Sequence, residues 1–193
     1  MKSHTLNSKD RHLPGDLAMW FIILLELTTF AILFLVYVVM RSKTPELFNE
    51  SQLMLDRTKG LVNTLLLIGG SWCVVRAVHA TRENDRSAGF SWLIAAQVCG
   101  LIFLFFKVKE YRALFDAGID LETNRFYTFY FTLTGFHFLH VLAAVVVLAM
   151  LTVANRCSNG NSDQLHDLET GAVFWHMVDL LWIVLFPLVY LMR

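Results

Sequence analysis

Five apolar runs dominate the chain: Leu17–Met40, Leu61–Val78, Ala88–Phe106, Phe126–Val153 and Gly171–Met192. Each reaches or approaches the roughly 20 residues a helix needs to cross a hydrocarbon core. Inside lipid a backbone amide has no partner but another backbone group, so each run is expected to be a helix. Composition points the same way. The chain is 56% hydrophobic and 17% charged, whereas a soluble domain holds about 45–50% apolar and about 25% charged residues. The surplus of apolar surface calls for lipid as solvent. The first run is 24 residues long, too long for the apolar part of a cleavable signal. The expectation is an all-α, polytopic membrane protein: a bundle of five transmembrane helices forming one domain over residues 1–193, since no gap between runs has room for a second.

The connections read as polar and short. Residues 41–60, 79–87, 107–125 and 154–170 hold most of the charge, the last being the most loop-like. The net charge is zero, which argues against nucleic acid as a partner. If the spans alternate, seven Lys and Arg residues fall on the amino-terminal side and nine on the other, a difference too small to set orientation. Cys73, Cys99 and Cys157 form no CxxC pair and read as small apolar residues.

Polar residues inside the spans carry the information. Glu26 lies in the middle of the first run, His137 and His140 in the fourth, His176 and Asp179 in the fifth. A carboxylate near mid-membrane costs about 3 kcal/mol on insertion scales, so such groups turn inward and find partners. His137 and His140 are three residues apart and share a face, as do His176 and Asp179. Three histidines and an aspartate would suit a metal, and twin histidines would suit haem. Depth argues against both. At a rise of about 1.5 Å per residue, Glu26 lies roughly 14 Å from the amino-terminal face, Asp179 about 12 Å, His176 about 8 Å, His140 about 20 Å and His137 about 24 Å. Metal ligands must converge to about 2 Å of the ion. No metal or cofactor is therefore expected on this chain. Glu26 is expected to bond a histidine of the fourth span, His140 in preference to His137. Asp179 is expected to accept from an indole or imidazole, or to meet a partner subunit. Together the five residues form a candidate intramembrane polar network.

Other residues have simpler expectations. Lys107, Lys109 and Glu110 close the third run, and lysines at a span end ordinarily snorkel to the headgroups. Arg76 with His79 reads the same way at the end of the second. Arg76, Lys107, Glu110 and Tyr111 are candidate contacts to lipid or to a partner. The five tryptophans fit interfacial anchors. Gly69, Gly70 and Ser71, with Ala96 and Gly100, are candidates for close helix contacts.

The same residues carry a family resemblance. YFTLTGFHFLHVL in the fourth span resembles the TGFHxxHV signature of haem-copper oxidase (cytochrome c oxidase) subunit III. FWHMVDLLWIVLFPLVY resembles that family's closing WHFVDxxW helix, and GDLAMWFIILLELTTFAILF resembles its helix with an intramembrane glutamate, which Glu26 matches. VNTLLLIGGSWCVVRA, with Asn63 and Thr64, and KVKEY, with Glu110 and Tyr111, resemble two further blocks in family order. The resemblance runs from about Leu13 to Met192 and is to the five-helix form. The HLPGDLAMW, GLVNTLLLIGGSW, KVKEYRALFDAGI and TNRFYTFYFTLTG blocks are most similar to nitric-oxide-reductase accessory proteins of the NorE type.

The resemblance implies an accessory subunit without haem or copper. It would stabilise a haem-copper catalytic subunit of an oxidase or nitric oxide reductase, which carries the haem and metal, and would support reduction of O2 or NO. It also implies a bacterial inner-membrane location with the amino terminus cytoplasmic and the carboxy terminus periplasmic. Two rivals come from the residues alone. Intramembrane Glu, His and Asp occur in proton-coupled transporters and channels that act alone, although no internal repeat or matched pair of broken helices is visible. A membrane metalloenzyme built on His137, His140, His176 and Asp179 is the other.

Overall fold

The computed structural model describes residues 17–157 and 162–192. The amino-terminal lysines and arginine of the charge comparison, the HLPGD part of the first family block and Arg193 lie outside them. Six α-helices follow in order: α1 (Leu17–Lys43), α2 (Pro45–Leu53), α3 (Arg57–Arg82), α4 (Arg86–Asp116), α5 (Arg125–Cys157) and α6 (Ser162–Phe186), closed by a π-helical turn at Pro187–Leu191. Five of these, all but α2, are long and apolar enough to span a membrane.

The helices outrun the apolar runs that announce them. α4 continues to Asp116 through what reads as the start of a polar connection, and α6 begins at Ser162, inside the stretch that reads as most loop-like. Headgroups and water tolerate charge, so a helix need not stop where its apolar run stops. Caps mark several true starts. The Asp56 side chain accepts from the amides of Thr58 and Lys59 at the head of α3. The Asp85 side chain accepts from the amide of Ala88 at the head of α4, and Asn124 Oδ1 accepts from the Tyr127 amide at the head of α5. Each satisfies an amide that the first turn leaves without an intrahelical acceptor. Between α3 and α4 the chain reverses in three residues, with Asn84 at φ 61°, a conformation asparagine tolerates.

Helix α6 is the centre of the bundle. Most of its apolar window is buried, whereas α1 buries little. The most extensive pairing is α3 with α4, and α6 packs against α3, α5 and α1. Two glycines set how closely α6 approaches. A Cβ on Gly70 would stand 2.9 Å from Trp175 Cζ2, and one on Gly100 would stand 3.0 Å from Trp175 Cη2 and 2.6 Å from Val145 Cγ2. The Trp175 ring fills the space those missing side chains leave. Gly69, expected to do the same, faces open space.

Helix α2 has no counterpart among the sequence expectations. It bridges the far ends of α1, α5 and the π turn. Buried Arg41 donates to Asn49 Oδ1 at 3.0 Å and Gln52 Oε1 at 3.4 Å. Gln52 Nε2 in turn donates to the Val189 carbonyl at 2.9 Å. Asn124, just before α5, donates to the Ser51 hydroxyl.

Candidate functional site

The polar residues inside the spans fall into three separate places. Glu26 of α1 meets His140 of α5, with Oε2 3.0 Å from Nε2. This is the pairing expected from depth and spacing. Phe30 and Phe136 flank the imidazole, with ring centroids 5.5 and 4.9 Å away. The other ring nitrogen, Nδ1, lies 2.8 Å from the Phe136 carbonyl oxygen. A carbonyl only accepts, so Nδ1 carries the proton. One proton then lies between Nε2 and Glu26. It sits on the carboxyl or on the ring, and in both forms the pair is neutral overall. Neutrality is what makes a carboxyl and an imidazole tolerable at that depth.

The second place is at α6. Ser71 Oγ lies 2.6 Å from His176 Nδ1, which joins α3 to α6. Asp179 is buried, and its Oδ1 has no hydrogen-bond partner among the described residues. An indole or imidazole is the expected donor, but Trp182 Nε1 donates to Thr64 Oγ1 at 3.0 Å, and Trp175 Nε1 has no hydrogen-bond partner among the described residues. His137, three residues from His140, is fully buried, and neither ring nitrogen has a hydrogen-bond partner among the described residues. It stacks on Trp182 at 5.1 Å and meets the edge of Phe103 at 5.8 Å. Its role here is that of an aromatic plate.

The third place corrects the expectation for Lys107. This lysine does not snorkel to the headgroups. It is 0% exposed, because its position on α4 faces α5 and α6. Its ammonium has three protons and three acceptors around it: Glu110 Oε2 at 3.2 Å, Tyr190 Oη at 3.1 Å and Tyr130 Oη at 3.3 Å. Tyr190 completes the ring by donating to Glu110 Oε1 at 2.7 Å. The rings of Tyr111, Tyr130, Trp182 and Tyr190 lie 5.1 to 5.7 Å from the ammonium, within cation–π reach. The Tyr111 hydroxyl donates to Thr134. Glu110 is likewise turned inward, so neither member of the pair is placed to touch lipid.

Pro187 brings Tyr190 there. A proline inside an α-helix removes one amide and collides with the preceding turn. Here the chain widens to a π turn, closed by the Met192 amide on the Pro187 carbonyl at 2.9 Å. Of the candidate contacts, Arg76 remains exposed, with its guanidinium 5.5 Å from the Trp92 ring. Trp72 is exposed too, but Trp175 and Trp182 are core residues instead of interfacial anchors. Among the described residues, no three His, Cys, Asp or Glu side chains converge as a metal would require.

Residues 16–193 match the family model described as cytochrome c oxidase subunit III. The chain belongs to the cytochrome c oxidase subunit III family. It is 33% identical over 185 residues to a cytochrome c oxidase subunit 3 of Synechocystis, covering 94% of this chain and 78% of that one. A cytochrome bo(3) ubiquinol oxidase subunit 3 of Buchnera aphidicola is 28% identical, covering 98% and 90%. A heme-copper oxidase subunit I+III of Aeropyrum pernix is 29% identical over 90% of this chain, which spans only 22% of that longer protein.

For this subunit III family member, the parts that residue reasoning missed are long-range. Nothing near Lys107 announces Tyr130 or Tyr190. The one local signal is the three-residue spacing from Lys107 to Glu110, which places a counter-charge on the same helix face.

Proposed function

We propose that this chain is a non-catalytic subunit of a haem-copper respiratory oxidoreductase. It packs beside the catalytic subunit, stabilises it and supports reduction of O2 or NO, while haem and metal reside in the partner. The match to subunit III over residues 16–193 carries this conclusion. Further support comes from the Aeropyrum relative, whose name joins subunits I and III in one chain. The polar residues of this chain suit such a role. Glu26 with His140, and Lys107 with Glu110, form internal pairs that hold helices to one another. The oxidase names of the relatives favour O2 as the partner's substrate, whereas the NorE-type blocks favour NO. The location is a bacterial inner membrane, with the amino terminus cytoplasmic and the carboxy terminus periplasmic. Arg76, exposed beside Trp72 and Trp92, is the residue best placed to meet lipid or the catalytic subunit.

The test is removal of this chain from cells that make the whole complex. The catalytic subunit should keep its haem absorbance while losing thermal stability and sustained turnover. Disappearance of the haem absorbance, or no change in stability and turnover, would contradict the proposal.

A further inference from the structure

A serine, a histidine and an aspartate stand in series where α3 meets α6. Ser71 Oγ lies 2.6 Å from His176 Nδ1. The Ser71 side chain also faces the carboxyl of Asp179, which is buried. Asp179 is three residues beyond His176 on α6, so the two share a helix face. With Nδ1 held by Ser71, the other ring nitrogen, Nε2, is left to a crevice of about 250 Å³ whose wall the His176 ring helps to form. The crevice runs between the two helices to a charged mouth, where Arg82 Nε and Nη2 donate to Glu169 Oε1 at 3.1 and 2.8 Å. Glu169 and His176 are seven residues apart, about 10 Å along the helix. The crevice has room for several waters at about 30 Å³ each. Water on one side of the imidazole and a buried carboxyl behind the other are the two ends of a path for protons.

We propose that His176 and Ser71 relay protons between water in this crevice and Asp179, which stores them inside the membrane. Histidine suits the position because either ring nitrogen can give or take a proton, and serine because a hydroxyl donates one hydrogen bond while accepting another. Before loading, His176 Nδ1–H donates to Ser71 Oγ, and the Ser71 hydroxyl donates to the Asp179 carboxylate. A hydronium in the crevice gives a proton to Nε2. The Nδ1 proton passes to Oγ, and the hydroxyl proton passes to the carboxylate oxygen beside it. The hydronium becomes water and the carboxylate becomes a carboxylic acid, while the imidazole and the hydroxyl end neutral as they began. Discharge reverses the same steps, so the ring need not turn over. At the mouth the path is faced by His79, Arg82 and Glu83 of α3 and by Glu169 of α6. Deeper, α1 and α5 bring the Glu26–His140 pair and α4 brings the Lys107–Glu110 pair, each neutral overall, with the Cys99 thiol against Gly70. The charge that bears on Asp179 is that of His176.

The full-length chain is placed in lipid nanodiscs, and a photolabile acid, released by a light flash, lowers the pH around it. Time-resolved infrared absorbance reads the protonated-carboxyl stretch that Asp179→Asn removes. In the unaltered chain this band should rise after the flash. Ser71→Ala should slow the rise about a hundredfold, the low end of what a positioned acid–base side chain contributes to a proton transfer. Ser71→Thr, which keeps the hydroxyl, should restore the original rate, and His176→Phe should slow the rise at least as much as Ser71→Ala. Should His176→Phe misfold, the two Ser71 variants still decide. A bond that only holds α3 to α6 would leave the rate the same in Ser71→Ala and in the unaltered chain, and that result would overturn the proposal. So would the absence of any flash-induced band that depends on Asp179.

Discussion

The Tyr190 hydroxyl donates a 2.7 Å hydrogen bond to Glu110 Oε1, tying the turn at the carboxy-terminal end to α4. The bond matters beyond its own strength. Glu110 and Lys107 are a buried ion pair, and such a pair is tolerable only when its remaining donors and acceptors are met. Tyr190 meets one on each partner. Tyr190→Phe should therefore lower stability by about 2 kcal/mol, in the range for hydrogen bonds to charged groups. Lys107→Met, which leaves Glu110 without its counter-charge, should cost about 3 kcal/mol or more. The double variant Lys107→Met with Glu110→Leu should recover much of that loss. Thermal unfolding of the detergent-solubilised protein measures all three. A double variant as unstable as the single would show that the pair contributes more than charge balance.

Glu26→Gln should fold. The amide of glutamine donates to His140 Nε2 in the tautomer that the Phe136 carbonyl selects, so the neutral pairing survives and the cost stays within about 1 kcal/mol. Glu26→Leu removes the partner of a nitrogen at mid-membrane and should cost about 1–3 kcal/mol. The Nε2 nitrogen chemical shift of a 15N-histidine-labelled sample distinguishes the two, because an unprotonated ring nitrogen that accepts a hydrogen bond is shielded relative to one without a donor. If Glu26→Gln is as destabilising as Glu26→Leu, the shared proton itself, and not the bond, holds α1 to α5.

How much of this was open to sequence reasoning depends on the range of the interaction. The five spans follow from run length, and the Glu26–His140 pair follows from depth along the helices, which is a local count. Helix α2 does not follow. It has nine residues of mixed polarity, and what holds it are bonds to distant partners: Arg41 to Asn49, and Gln52 to Val189. Lys107 misleads because it ends an apolar run, where a lysine ordinarily reaches for water. Its acceptors on Tyr130 and Tyr190 are 23 and 83 residues away, and only folding brings them near. His137 and His140 share a face by spacing yet have opposite fates: one finds a carboxyl, the other an indole.

The glycines offer a paired test. Gly100→Ala drives a Cβ to 2.6 Å from Val145 and 3.0 Å from a rigid Trp175 ring, and overpacking of this kind costs about 1–3 kcal/mol. Gly69→Ala meets nothing within 4 Å, and should be neutral or stabilise by up to about 1 kcal/mol through helix propensity. Melting temperatures of the two variants, measured side by side, should move in opposite directions or in one direction only for Gly100→Ala.

Gln52 links α2 to the π turn. Gln52→Leu strands the Val189 carbonyl and one donor of Arg41, a loss of about 1–3 kcal/mol. The loss should be local. Amide hydrogen exchange should quicken in α2 and at residues 187–192, while α3 and α4 keep their protection. Uniform quickening across the bundle would show that the clamp at this end supports the whole molecule.

Co-purification tests the central claim most directly. The tagged full-length chain is extracted from its native membrane in mild detergent, and the haem spectrum of what accompanies it is recorded before and after the chain is separated from its partner. A haem-copper catalytic subunit should accompany the chain, and all haem absorbance should stay with that subunit on separation. Haem that remains with this chain, or a chain that purifies without any haem-copper partner while the partner assembles normally in its absence, would contradict the account.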